Sequence, residues 1–186
     1  MRILIPIGAA LVLYPILLYA YREGPLPNMA GGFGDGTCRT CHLENPLNAA
    51  GGRLELTGLP AGYAPGRSYT IVVSLWRTAL ERGGFEIVAR FAAGQQKGHQ
   101  AGTWDIGTNT RLQIVRSQQD SQLQFVQHTT AGSTTSSPGT ITWQARWTAP
   151  EASTPIQFNV AANAANDDAS PIGDYVYTRQ SLVPRR

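Results

Sequence analysis

The chain has 186 residues, 42% of them hydrophobic and 15% charged, and a formal net charge of +3 at pH 7. That balance describes one folded domain with a sizeable core plus a short additional segment, and excludes a disordered chain. The positive charge is carried by arginines scattered singly from Arg22 to Arg186, so no basic track forms and no nucleic-acid partner is expected.

Met1-Arg2 precedes an uncharged apolar stretch, Ile3 to Ala20. A positive start followed by eighteen apolar residues reads as an export segment. Leu18-Tyr19-Ala20 is a poor small-x-small cleavage site, so residues 1–21 are expected as an uncleaved N-terminal anchor slightly ahead of a cleaved signal. Everything from about Tyr21 onward then lies outside the cytoplasm, in the periplasm or on the cell-surface side of the membrane. Residues 22–37, rich in glycine and proline and without apolar periodicity, are expected as a tether.

The next segment, 38–51, opens with Cys38-Arg39-Thr40-Cys41-His42, which holds both cysteines of the chain. Two thiols at this spacing can reach the two vinyl groups of one porphyrin, and the adjoining imidazole can meet its iron. Covalent haem attachment is made outside the cytoplasm, as the export segment requires. One haem c is therefore expected, with Cys38 and Cys41 as thioethers and His42 as the proximal iron ligand. A zinc site would need a fourth ligand, which His99 or His128 could supply. A thioredoxin-like pair expects a strand-to-helix turn in a βαβ pattern, which is missing here. A Cys38–Cys41 disulfide is the remaining alternative.

From Gly52 the pattern changes to alternation broken by turn clusters. Tyr69, Ile71, Val73 and Leu75 share one face of a strand, and Phe85, Ile87, Ala89 and Phe91 one face of the next. Further strands are expected at 104–106, 111–116, 123–129, 141–148, 156–162 and 174–178. In the second-last of the longer runs, Trp143, Ala145 and Trp147 read as core. Eight or nine short strands without an amphipathic helix predict an all-β, immunoglobulin-like antiparallel β-sandwich over 52–180. The segment 131–139 is expected as a flexible polar loop and 181–186 as a C-terminal tail.

Three residues compete for the sixth iron position. His128 ranks first because it ends a strand, His99 second in a polar turn, and Met29 lies in the tether. Asn163, Asn166, Asp167, Asp168 and Asp174 gather oxygen atoms in one loop, but turn chemistry explains them without Ca²⁺. No nucleophile elbow, zinc-protease helix or phosphate-cradling loop is present. A carrier or binding role is favoured over an enzyme.

The order and spacing of "GGFGDGTCRTCH", "LTGLPAGYAPGRSYTIVV", "GGFEIVARFAAG", "QHTT", "WQARWTAP" and "FNVAANAANDDASPIGDYVYT" resemble the bacterial reelin-type domains called choice-of-anchor V, relatives of the animal reeler domain. The resemblance covers about residues 31–178. It implies an immunoglobulin-like sandwich on bacterial surfaces or in the periplasm, often with the cysteine motif near its N-terminus, and it implies no reaction. The expected function is a mono-haem c-type cytochrome transferring electrons to or from a redox partner at the membrane or in the periplasm. The alternative is a haem-free surface module for adhesion or binding.

Overall fold

The computed structural model describes residues 21–186. The expected export segment therefore lies outside the described residues, and among those described no helix is long and apolar enough to cross a membrane. Nine strands are present: β1 (Gly52–Thr57), β2 (Ser68–Arg77), β3 (Arg82–Phe91), β4 (Thr103–Asp105), β5 (Leu112–Arg116), β6 (Gln124–His128), β7 (Thr140–Thr148), β8 (Ile156–Ala165) and β9 (Tyr175–Val183). They form two antiparallel sheets, β1-β2-β7-β4 and β5-β6-β3-β8-β9. The all-β sandwich expected from the alternation is the fold observed.

Period-two alternation explains the core. In one sheet Ile71, Val73 and Leu75 lie opposite Ala145, Trp143 and Ile141. In the other, Phe85, Ile87, Ala89 and Phe91 lie opposite Ala162, Val160, Phe158 and Ile156. All of these side chains are buried in one cluster between the sheets. Trp143 stacks on Phe85 with ring centroids 4.4 Å apart, and Trp147 meets Phe158 edge-on at 4.9 Å. Each indole also finds an acceptor, Trp143 Nε1 donating to Gly132 O at 2.8 Å and Trp147 Nε1 to Ala101 O at 3.0 Å, as buried indoles require.

β3 is buried on both faces, because residues 22–37 lie across the outside of the five-stranded sheet. This corrects the expectation of a free tether. Ala30 is 1% exposed and packs with Val88, Leu123 and Phe125 in a second apolar cluster. Met29 N donates to Glu86 Oε1 at 2.6 Å, Gln127 Nε2 donates to Pro25 O, and Asp35 pairs with Arg90. Glycine permits the contact. A Cβ at Gly32, whose φ is +78°, would sit 2.4 Å from Asn159 Nδ2. The segment is thus a strap with its own small core, and its glycine content reflects close approach and left-handed backbone rather than freedom.

Two further expectations change. Residues 181–183 continue β9, with Val183 2% exposed, and Tyr63 N donates to Pro184 O, so the C-terminal tail is part of the sandwich. The loop 131–139 begins with a 3₁₀ turn at Ala131–Ser133 in which Gly132 and Ser133 are buried.

Candidate functional site

The cysteine motif occupies a single 3₁₀ turn, Cys38–Thr40. Thr37 caps it by accepting a hydrogen bond from Arg39 N at 3.2 Å. Cys41 N and His42 N both donate to Cys38 O, at 3.2 and 3.1 Å. This tight winding puts residues three and four apart on one face, so Cys38, Cys41 and His42 all line the same cavity. The cavity measures about 350 Å³, inside the roughly 300–1,000 Å³ range of cofactor and small-molecule sites. Its walls come from the strap (Leu26, Met29), the start of β3 (Gly84, Phe85), the end of β6 (His128) and the 163–174 loop.

His42 is held from behind. Its Nδ1 lies 2.7 Å from Asp174 Oδ2, with the His42 side chain 14% exposed and that of Asp174 fully buried. Asp174 Oδ2 also accepts from Asn163 Nδ2 at 2.9 Å, and Oδ1 from Asn166 N at 3.3 Å. The segment following the motif is clipped to the same place, because Asn45 Nδ2 donates to Asp174 O and Asn48 N to Val176 O, both at 2.9 Å. A histidine whose second nitrogen is engaged by a buried carboxylate is the arrangement that orients imidazoles for metal ligation. Asn163, only 8% exposed, leaves Oδ1 without a partner at the cavity wall.

Both cysteines are free thiols in the structure, Cys41 exposed and Cys38 half-buried. Desolvation, reinforced by the neighbouring Glu86 carboxylate, pushes the Cys38 thiol up to about 12. Burial of that kind does not favour the thiolate on which a reactive redox pair depends. Among the described residues no three His, Cys, Asp or Glu side chains converge as a site for a bare ion. A haem asks less of the chain, since the porphyrin fills four iron positions and the protein supplies two thiols and an axial nitrogen.

The structure places the sixth-ligand candidates differently. His128 lines the cavity, but its Nδ1 sits 3.0 Å from Phe85 N and 3.3 Å from Phe85 O. A further bond joins the ring to the Tyr21 backbone, and burial lowers the affinity of the imidazole for a second proton. These contacts give His128 a structural hydrogen-bonding role at the end of β6. Met29 also lines the cavity. His99 lies outside it, 67% exposed by side chain and 3.4 Å from Asp120. Asp167 is committed to Arg22 and Arg82, and Asp168 to the local turn through Asn166 Nδ2 and Ser170 N.

Sequence reasoning assigned Asp174 and Asn163 to a loop. It gave Glu86 no role, although Glu86 is fully buried and faces the strap. The available signal was a polar residue inside an apolar strand: Glu86, Asn159 and Asn163 each interrupt runs that otherwise read as core.

No protein-family model matches this chain, and no curated protein matches it. Among solved structures it is similar to the human F-spondin reeler domain, at 20% identity over 76% of this chain and 93% of that one, with a TM-score of 0.49. A Reelin-N domain of F-spondin is similar at 18% identity over 80% and 96%, with a TM-score of 0.47. A type II cohesin domain from the cellulosome of Acetivibrio cellulolyticus is similar at 11% identity over 71% and 94%, with a TM-score of 0.37.

Proposed function

We propose that this chain is an exported mono-haem c-type cytochrome that passes single electrons to a redox partner in the periplasm or at the membrane. The observation that carries the reading is one cavity wall formed by Cys38, Cys41 and His42, with His42 held from behind by buried Asp174. Cys38 and Cys41 would hold the haem as thioethers, each S–H adding across one vinyl group so that an S–C bond would form, the C=C π bond would be consumed and the thiol hydrogen would pass to the other vinyl carbon. No oxidant is required. When bound, the haem supplies a one-electron couple.

The chain's own residues do the rest. The 3₁₀ turn presents both thiols on one side, Asp174 orients His42, and Leu26, Phe85 and Met29 give the cavity apolar wall. If residues 3–20 remain attached, they hold the domain at the membrane, with Tyr21 and Arg22 at the cavity itself.

The test is expression with a cytochrome c maturation system, followed by haem staining, a pyridine haemochrome spectrum and intact mass. One covalent haem supports the proposal. A colourless protein two hydrogens lighter, with Cys38 joined to Cys41, refutes it. The second reading is a haem-free binding module. It is favoured by a cavity of about 350 Å³ that could take an apolar ligand directly. Native mass spectrometry of colourless protein, showing a non-covalent guest lost in Leu26→Arg at an exposed position of the cavity wall, would select it.

A further inference from the structure

We infer that Asp174 is a positioning residue that fixes the protonation and electron density of the His42 ring, an inference that rests on the haem reading above. The argument begins with hydrogen-bond donors. Asp174 Oδ2 is the acceptor at His42 Nδ1, 2.7 Å away. Asn163 Nδ2 lies 3.3 Å from Nδ1 and 3.5 Å from Nε2 and can only donate. Its orientation is fixed by its own bond to Asp174 Oδ2 at 2.9 Å, since the flipped amide would set oxygen against oxygen.

A carboxylate oxygen 2.7 Å from Nδ1 can only accept, and so selects the tautomer that carries its proton there. The proton sits on Nδ1, and Nε2 keeps its lone pair. A ring held in this form presents Nε2, the nitrogen away from Asp174, as the one that would ligate iron. The carboxylate does more than orient. Asp174 is fully buried and its Oδ2 lies 2.7 Å from Nδ1, so a short charge-assisted bond raises the electron density of the imidazole. A more electron-rich axial nitrogen stabilises ferric over ferrous iron. Asp174 therefore holds the reduction potential down.

A purely structural role for Asp174 is also written in the fold, because it ties the 163–174 loop to the motif. The tests must read what that role does not move. The first uses the haem-free chain labelled with ¹⁵N-histidine at pH 8, where two-bond ¹⁵N–¹H correlations report the tautomer of His42. The expected result is Nδ1–H with unprotonated Nε2. A ring protonated on Nε2, or on both nitrogens, overturns the inference whether or not the chain binds haem.

The second test measures the midpoint potential of haem-loaded wild type, Asp174→Asn and Asp174→Glu. Asp174→Asn is expected to raise the midpoint by at least the equivalent of a tenfold change in the reduction equilibrium, 59 mV for one electron. Asp174→Glu, which keeps the carboxylate, should recover most of that shift. An Asp174→Asn protein that folds, carries haem and has the wild-type midpoint overturns the inference and leaves the haem reading standing. If Asp174→Asn does not fold, an Nε2-protonated wild-type ring overturns it on its own. A wild-type chain that attaches no haem overturns both readings, even with His42 in the expected tautomer.

Discussion

Glu86 is fully buried beneath the strap, and burial, with the Asp35 carboxylate adding to it, pushes its carboxyl up from 4.5 to about 7. Hydrogen bonds from Gln127, Met29 N and Ala30 N oppose the shift without cancelling it. In the unfolded chain Glu86 loses its proton near 4.5, while the folded chain keeps it to about 7. Between those values the folded state holds more protons, so the stabilisation is complete below 4.5 and is lost as pH rises through 7. The full loss is about 3 kcal/mol, at 1.36 kcal/mol per pH unit of separation.

His128 acts in the opposite sense. It is buried and its folded affinity for a proton is lowered, so its contribution is present above 6.5 and is lost as pH falls. The two partly cancel in the wild type, and Glu86→Gln should uncover the imbalance. Guanidinium unfolding of haem-free protein at pH 5 and pH 8 is the assay. The stability difference between wild type and Glu86→Gln should shift by about 2 to 3 kcal/mol between the two pH values, because part of the loss already precedes pH 5. Using the shift removes whatever Gln costs at both pH values by offering an amide where Met29 N and Gln127 Nε2 donate. If the two proteins keep a constant difference across that range, Glu86 does not titrate near neutrality and the account of the layer beneath the strap is wrong.

Asp35→Ala should cost about 3 to 5 kcal/mol by leaving Arg90, whose side chain is 5% exposed, as an unpaired buried charge; denaturant midpoints read the loss. Gly84→Ala places a Cβ 2.6 Å from His128 Cε1 and 2.9 Å from its Nε2, so the buried ring must shift at a cost of about 1 to 3 kcal/mol, seen as a lower Tm. Phe85→Ala removes the ring stacked on Trp143 at 4.4 Å and should cost about 3 to 5 kcal/mol, with a change in tryptophan fluorescence. In haem-loaded protein, His99→Ala should leave the ferric spectrum unchanged, because His99 is solvent-facing and outside the cavity. His42→Ala should abolish the wild-type spectrum.

The sandwich was legible because its inner faces obey a strict alternation that depends only on neighbouring residues: Ile71, Val73 and Leu75 point one way whatever covers the other face. The outer face of the second sheet was not. Val88 and Phe125 look like solvent-side positions until a segment distant in sequence packs on them, and the Gly/Pro-rich composition of 22–37 gives no apolar period by which to see it coming. At the site, the three motif residues were readable since one turn brings them together. Asp174 was not, because its meeting with His42 spans 132 positions and is decided by where β8 ends and β9 begins. His128 was noticed for its place at a strand end, and the same place explains its bonds to the Phe85 backbone.

The cavity has an assembly order built into it. Its motif wall is a local turn that can wind as soon as residues 37–42 have been synthesised. The opposite walls are supplied by residues 82–85, 128–133 and 163–174, which meet only when the whole sandwich has closed. Such long-range pairing makes β-sandwiches slow to fold. A group attached to the two thiols early would be enclosed as the strap settles and β3, β6 and β8 align around it, instead of having to enter a finished domain. On that schedule the strap is the last shutter: it runs directly into the motif, so fixing the motif to a cofactor shortens the search that brings Ala30 onto Val88 and Phe125.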